Sequence, residues 1–262
     1  VSALLAATAT KGAIYVRLRF PFSVFTVNHQ YLGHALEIFV LPLALVAMFA
    51  ASFVAVFQVN LKRLLAYSSV AQIGYMLLGV ALLSPTGLSA TIIHLFNHAL
   101  TKGALFLAIG AIVFRTGSAL RPAINGLGKR MPWTSAAIVV GGLSLIGIPG
   151  TAGFVSKWLL IAAALEKGWW LVAMLIVASS LIAIVYVWRL VEALYLTPAP
   201  AGSRTQEAPL SLLVPTWILA LAVIWFGIDA DFTVGMAQTA ADALYSGGFG
   251  AGLDTLTGPE GR

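Results

Sequence analysis

Three ionisable side chains recur at intervals of four residues in one apolar part of the sequence. His94, His98 and Lys102 stand within residues 91–106, and mostly apolar residues flank this stretch on both sides. If the segment is a helix, the spacing places all three on one face, in a row that rises roughly 12 Å along the axis. Ionisable groups in line inside a membrane helix usually face protein or water and commonly mark an ion or proton path. The row therefore predicts proton transfer.

Other basic residues extend the row to a candidate proton-transfer chain. A lysine in a low-dielectric medium gives up its proton more readily, and a neutral imidazole can pass a proton from one ring nitrogen to the other. The candidate chain consists of Lys11, Lys62, His94, His98, Lys102 and Lys157. Polar side chains that could hold connecting water molecules are Ser68, Ser69, Gln72, Asn97, Thr101 and Ser156. Together these residues fit a hydrated proton wire.

Other chemistries fit the residues less well. The sequence shows neither a glycine-rich nucleotide loop nor a plausible His-Asp-Ser set, so hydrolysis and phosphoryl transfer are not indicated. Two histidines on one helix face could bind a metal ion, but no carboxylate or thiolate lies mid-span to complete such a site. They cannot both serve one haem, and no second helix supplies a partner histidine. We expect no cofactor and no metal. The structural alternatives are packing of the histidines and snorkelling of Lys157 beside Trp158.

Composition places these residues in an integral membrane protein. Of the 262 residues, 60% are hydrophobic and only 9% are charged, whereas a soluble domain has about 25% charged residues. The mean hydropathy is +0.96. The net charge of +6 is scattered over loops and spans, and we interpret it as a topology signal and not as a nucleic-acid surface. Because the chain begins at Val1 with a helix under way, we expect that part of a larger protein is absent.

The apolar segments predict an all-α integral membrane protein with about seven transmembrane helices. We expect these spans at residues 2–19, 36–58, 61–83, 88–114, 132–166, 169–196 and 211–228. Residues 132–166 are counted as one broken helix, because each half is short for a crossing and Pro149 and Gly150 interrupt it. Counting this segment once also places most basic loop residues on one side of the membrane, which the positive-inside rule assigns to the cytoplasm.

Two regions follow from these spans. Residues 1–228 would form the transmembrane proton-conducting domain. Residues 229–262 would form a tail with an amphipathic piece near 232–246 along the membrane surface, and a glycine-rich disordered end.

Four runs of sequence resemble one known family. They are VSALLAATATKGAIYV at 1–16, LKRLLAYSSVAQIGYMLLG at 61–79, HLFNHALTKGALFLAIGAIV at 94–113 and GLSLIGIPGTAGFVSKWLL at 142–160. In this order they are similar to the antiporter-like proton-translocating membrane subunits. That family includes the L, M and N subunits of respiratory complex I and the A and D subunits of Mrp-type Na⁺/H⁺ antiporters.

The resemblance implies a fold and a set of roles. Family members hold two inverted five-helix repeats, and residues 36–196 would be the second. Lys11 matches the family's lysine near the middle of the membrane, and Lys157 matches the terminal lysine of its broken helix. The residues that match its central connecting chain are Lys62, His94, His98 and Lys102. A lysine at position 157, where the complex I M subunit has a glutamate, is similar to D-type Mrp subunits. Most of the first repeat is missing from this chain.

We therefore expect a proton-conducting subunit of a cation/proton antiporter, similar to Mrp D, which exchanges H⁺ for Na⁺ within a multi-subunit membrane complex. One alternative is a proton-pumping subunit of a complex I-type NADH:quinone oxidoreductase or a related hydrogenase. Another is a membrane scaffold that transports nothing. The expected partners are other membrane subunits and the lipid bilayer, and no nucleic acid. The expected location is the inner (plasma) membrane, with the basic loops in the cytoplasm.

Overall fold

The computed structural model describes residues 36–199 and 205–245, together with Gly12 and Val16. This part of the chain forms eight α-helices: α1 (Leu41–Phe57), α2 (Leu61–Ala81), α3 (Pro85–Thr116), α4 (Pro132–Ile146), α5 (Ala152–Glu166), α6 (Trp170–Val191), α7 (Leu210–Ile228) and α8 (Asp231–Tyr245). π-helical turns at Leu36–Val40 and Glu192–Leu196 extend α1 and α6. The predicted span at residues 2–19, with Lys11, lies outside the described residues.

Five described segments are long and apolar enough to cross a membrane. They are Leu36–Phe57, Leu61–Ala81, Pro85–Thr116, Trp170–Leu196 and Leu210–Ile228. By contrast, α4 and α5 have 15 residues each. A helix of that length reaches about 22 Å, which is less than the hydrocarbon core of about 30 Å. The predicted all-α membrane fold is thus confirmed, with one broken crossing made of α4 and α5.

Local sequence signals set the ends of these helices. The Oδ1 atom of Asn60 accepts hydrogen bonds from the backbone N–H groups of Lys62 and Arg63 at the start of α2. At the start of α3, the hydroxyl of Ser84 accepts a hydrogen bond from the backbone of Gly87. Helix α3 ends at Thr116 and is capped by Gly117, whose φ of 71° suits a residue without a side chain.

The segment 132–166 crosses the bundle once. Its first end is tied to the end of α6, because the preceding loop donates a hydrogen bond from Gly126 N to Ala193 O. Its second end is tied to the start of α1 by an ion pair of 2.5 Å between Lys167 and Glu37. Since α6 and α1 place these anchors at opposite ends of the bundle, the two halves together make one crossing.

Helix α3 occupies the centre of the bundle. It contacts α2, α4, α5, α7 and α8, while α1 packs against α2 and α6. The outer faces of α1, α6 and α7 expose large apolar side chains such as Phe53, Met174 and Ile218, as expected for surfaces in contact with lipid. The predicted amphipathic piece is a helix, α8, which buries Ala237 and Ala241 and packs beside α3. Its position relative to the membrane surface stays a prediction.

Candidate functional site

The row predicted on α3 lies inside the bundle. His94, His98 and Lys102 are all buried, and Lys102 has no exposed surface. The rings of His94 and His98 are nearly parallel, at 4°, and their centroids are 6.3 Å apart. The i, i+4 spacing therefore does place these ionisable side chains in one buried line, since neighbouring helices surround α3.

Lys102 binds to the wall formed by α2. Its ammonium group donates to the carbonyl oxygen of Leu65 at 2.9 Å and to the hydroxyl of Ser68. Ser68 in turn donates to Leu65 O at 3.0 Å, and Ser69 donates to the same carbonyl oxygen at 2.9 Å. Gln72 is buried one turn further along α2. The polar residues of α2 thus form the hydrophilic wall that their spacing predicts.

Polar contacts join α3 to both halves of the broken helix. On the α4 side, the hydroxyls of Thr101 and Ser144 are 2.8 Å apart. On the α5 side, His94 Nδ1 lies 2.8 Å from the hydroxyl of Ser156, and Asn97 donates from Nδ2 to Ala152 O at 2.6 Å. The break between α4 and α5 is therefore held against the histidine row by buried hydrogen bonds.

Lys157 caps the end of α4 from the neighbouring half-helix. Its ammonium group donates to Leu145 O at 2.8 Å, to Ile146 O at 3.0 Å and to the hydroxyl of Ser180 at 3.1 Å. The two carbonyls belong to the last turn of α4, where they have no partner within their own helix and where the helix dipole is negative. The same ammonium lies 4.7 Å from the ring centroid of Tyr75. Lys157 is thus held by the helix break itself.

Two glycines make this arrangement possible. Gly147 ends α4 with a φ of 89°, a conformation that side chains disfavour. A Cβ atom on Gly153 would lie 1.9 Å from Ser144 O, so only glycine allows α5 to approach α4 this closely. Pro149 and Gly150 lie in the exposed link between the two halves, and Gly150 has a φ of 85°.

Three residues of the site were not predicted. The hydroxyls of Tyr75 and Ser180 are 3.2 Å apart, and the ring of Tyr75 lies 5.7 Å from that of His94, so Tyr75 stands between the histidine row and Lys157. Ser144 is the third. The signal for Tyr75 is its position three residues after Gln72, on the same face of α2. Ser144 and Ser180 are hydroxyl residues within apolar helices, a weaker signal.

Two predicted residues are not joined to this cluster. Lys62 is exposed in the first turn of α2, away from the buried row, and Lys11 lies outside the described residues. Trp158 is 59% exposed, whereas Lys157 beside it is buried, so Lys157 extends into the bundle and does not snorkel outward. Among the described residues, no group of three or more His, Cys, Asp or Glu side chains lies close enough together to hold a metal ion.

Known proteins are similar to this chain in sequence and in fold. Residues 1–183 match the family described as NADH:quinone oxidoreductase/Mrp antiporter, transmembrane. The chain is 37% identical to NADH-quinone oxidoreductase subunit N of Desulforudis audaxviator over 241 residues, which cover 87% of this chain and 48% of that protein. A chain in the structure of the Mrp complex from Dietzia sp. DQ12-45-1b is 28% identical and has a TM-score of 0.82, over 93% of this chain and 53% of that one.

The same fold occurs in respiratory complex I from Thermus thermophilus with bound NADH. One of its chains has a TM-score of 0.81 and 23% identity, over 94% of this chain and 51% of that one, and this likeness concerns the fold alone. The present chain thus spans about half the length of the relatives that it matches.

Proposed function

Because the chain belongs to the NADH:quinone oxidoreductase/Mrp antiporter transmembrane family, we propose that it conducts protons as part of a multi-subunit membrane complex. One observation carries this proposal. Two buried lysines, Lys102 and Lys157, lie at the two ends of a row of titratable and hydroxyl side chains inside the bundle. Burial of ionisable groups at this depth is a poor way to stabilise a membrane helix, and it is commonly found where ions or protons move.

The proton path runs from Lys102 through the two histidines to Lys157, or in reverse. His98 and His94 are too far apart for a direct hydrogen bond, so a water molecule between their rings would carry the proton from one imidazole to the next. His94 passes the proton onward through Ser156 or toward Tyr75, whose hydroxyl shares Ser180 with Lys157. Each step uses groups that can both accept and donate.

Protonation of Lys157 also bears on the break in the helix. A lysine ammonium has three donors, and the three acceptors here are two carbonyl oxygens of α4 and one hydroxyl of α6. A neutral amine has only two N–H donors and no longer attracts the negative end of the helix dipole. Loss of the proton would therefore loosen α5 from α4, which gives one means of opening the path at this point.

Two forms of coupling fit this proton path. Lysine at position 157 and the structural likeness to the Mrp complex favour exchange of H⁺ for Na⁺ in a D-like antiporter subunit. The higher identity to a subunit N favours a complex I-type assembly in which redox chemistry elsewhere drives the protons. A pH gradient that forms only with Na⁺ would identify the first, and one that forms only with an electron donor and a quinone would identify the second.

The basic end of the bundle is proposed to face the cytoplasm, in the inner (plasma) membrane. The α1–α2, α3–α4 and α6–α7 connections lie at this end of the bundle. In or next to them are seven basic residues: Lys62, Arg63, Arg115, Arg121, Lys129, Arg130 and Arg189. At the opposite end, Lys167 is the one basic residue in the described part of the chain. This asymmetry follows the positive-inside rule.

The decisive test is Lys157→Ala in the intact complex, reconstituted into vesicles that contain a pH-sensitive dye. We expect proton movement to be abolished, because the substitution removes the group at the end of the path. The matched control is Arg63→Ala, which removes an exposed basic side chain from the first turn of α2, outside the path, and should leave transport close to that of the parent complex. Unchanged transport in Lys157→Ala would instead favour the scaffold alternative.

A further inference from the structure

Two neighbouring cavities lie at the basic end of the bundle, between the loop that joins α3 to α4 and the end of α6. The first, of about 370 Å³, is lined by Arg121, Asn125, Arg189, Glu192 and Thr197, among others. The second, of about 330 Å³, shares Thr197 and is lined by Lys129, Arg130, Tyr195 and Leu196, among others. Four cationic side chains and one acidic side chain thus surround the pair.

The lining residues of these cavities keep a net positive charge, and none of them forms an ion pair within the described part of the chain. Its one ion pair, Lys167 with Glu37, lies at the opposite end of the bundle, so Glu192 pairs with neither arginine. Arg189 uses one nitrogen to bind Val56 O at 2.5 Å. Arg130 has a buried Nη1 atom without a hydrogen-bond partner among the described residues. A buried guanidinium nitrogen of this kind is stabilised by an anionic oxygen.

The walls of the cavities are held by the backbone. Arg121 N donates to Val59 O at 2.8 Å, and Gly126 N donates to Ala193 O at 2.9 Å. A Cβ atom on Gly128 would lie 2.4 Å from the ring of Tyr195, so the loop packs directly against the end of α6. Since these contacts fix the loop and the end of α6 before any ligand binds, the backbone of the site needs little ordering on binding.

The surroundings of the cavities suit a ligand that has apolar chains. Trp188 and Tyr195 are both exposed near the end of α6. Exposed aromatic side chains near the ends of membrane helices are typical of the membrane interface. Next to Arg121 and Thr197 in the chain, Leu120 and Leu196 are 48% and 66% exposed. A small soluble anion would leave these leucines uncovered, whereas a lipid would cover them.

We propose that the two cavities bind the phosphate headgroup of an anionic phospholipid, with Arg121 and Arg130 as donors. The planar guanidinium group matches phosphate with paired N–H donors, which a lysine does not offer. The acyl chains would lie along Leu120 and Leu196. Glu192 lines the first cavity and lowers its positive potential. Basic pockets between membrane helices at the cytoplasmic face are a known setting for anionic headgroups.

The test uses the intact complex in nanodiscs of phosphatidylcholine with added phosphatidylglycerol, and native mass spectrometry counts the phosphatidylglycerol that stays bound. We expect the double variant Arg121→Gln with Arg130→Gln to bind it about tenfold more weakly, since each loses charge-assisted hydrogen bonds. The matched control is Arg63→Gln, an exposed arginine at the same end that lines neither cavity, and binding should not change. Equal retention by the parent and the double variant would overturn the proposal.

A second variant keeps the test independent of folding defects in the first. Glu192→Gln removes the one negative charge among the lining residues, so retention of phosphatidylglycerol should rise a few-fold. A fall or no change would count against the assignment.

Inorganic phosphate serves as a competitor that lacks acyl chains, and we expect it to release little of the bound lipid. If inorganic phosphate displaced all of it, the occupant would be a free anion and the lipid assignment would be wrong.

Discussion

Tyr75 joins the two parts of the proposed path. Its ring packs near both His94 and the ammonium of Lys157, and its hydroxyl contacts Ser180. The aromatic ring and the hydroxyl therefore have separable roles. The ring fills space between the histidine row and α5, whereas the hydroxyl offers a group that can accept and donate a proton.

The first prediction separates these roles. Tyr75→Phe keeps the ring and removes the hydroxyl, and we expect proton transport in reconstituted vesicles to fall about tenfold, which corresponds to one lost hydrogen bond in the path. The matched control on the same helix is Tyr67→Phe, whose side chain is 39% exposed and should not affect transport. A transport rate in Tyr75→Phe equal to that of the control would show that the hydroxyl is not part of the path.

The second prediction concerns Gly147, where α4 ends. Gly147 has a φ of 89°, so Gly147→Ala places a side chain in a strained backbone conformation. The new Cβ would also lie 2.9 Å from Lys157 Cδ. We expect a loss of about 1–2 kcal/mol in the free energy of unfolding, together with reduced transport because Lys157 is displaced. Gly110→Ala in α3 is the control, since a Cβ there meets nothing within 4 Å. Thermal unfolding in detergent measures the stability of both variants. Equal changes in unfolding temperature for Gly147→Ala and Gly110→Ala would contradict the strain argument.

At the scale of the helices, α4 carries opposite charges from other elements at its two ends. Glu207, in the loop before α7, accepts a hydrogen bond from Trp133 N at 2.9 Å and one from the hydroxyl of Thr134 at 2.6 Å. The backbone carbonyl of Glu207 also accepts a hydrogen bond from Arg115 Nε at 2.9 Å. A carboxylate at the first end of α4 and the Lys157 ammonium at its last end both complement the helix dipole. A half-helix of 15 residues is thus held at both ends by side chains from outside it.

The third prediction follows from this cap. Glu207→Ala leaves the backbone N–H of Trp133 and the hydroxyl of Thr134, both in the first turn of α4, without their acceptor. We expect it to reduce the free energy of unfolding by about 1–2 kcal/mol. The control is Glu166→Ala, because Glu166 is an exposed carboxylate at the end of α5 and its removal should change stability by less than about 0.5 kcal/mol. If both variants unfold at the same temperature, Glu207 does not stabilise α4.

Because α4 and α5 together cross the membrane once, the loops before and after them lie on opposite sides. Arg121 N binds Val59 O, so the loop before α4 lies beside the α1–α2 connection. Lys167, after α5, binds Glu37 at the far end of α1. The charge asymmetry between the two ends depends on this connectivity.

The fourth prediction tests this topology by cysteine labelling. Because the sequence contains no cysteine, each introduced cysteine is the one thiol of this chain that can react. Lys129 lies before α4, Glu166 lies at the end of α5, and both are exposed, so Lys129→Cys and Glu166→Cys place a thiol at each end of the segment. We expect a membrane-impermeant thiol reagent to label Glu166→Cys in intact cells and to label Lys129→Cys only after the membrane is opened. Labelling of both from the same side would mean that the segment crosses twice.

Local patterns in the sequence are enough to predict the helices and the row on α3. Hydropathy and an i, i+4 spacing are local properties of the chain, and so is the glycine and proline content that breaks residues 132–166. For this reason the spans, the break and the common face of His94, His98 and Lys102 could all be predicted.

Which of these side chains meet depends on the way the helices pack together. His94 and Ser156 are 62 residues apart in the chain, and Thr134 and Glu207 are 73 apart. The burial of Lys157 and the exposure of Lys62 likewise depend on how the helices pack, because side chains with the same charge and similar apolar neighbours in sequence can face the bundle or its surroundings. Contacts between helices are set by the packing of whole faces, which no local pattern in the sequence contains.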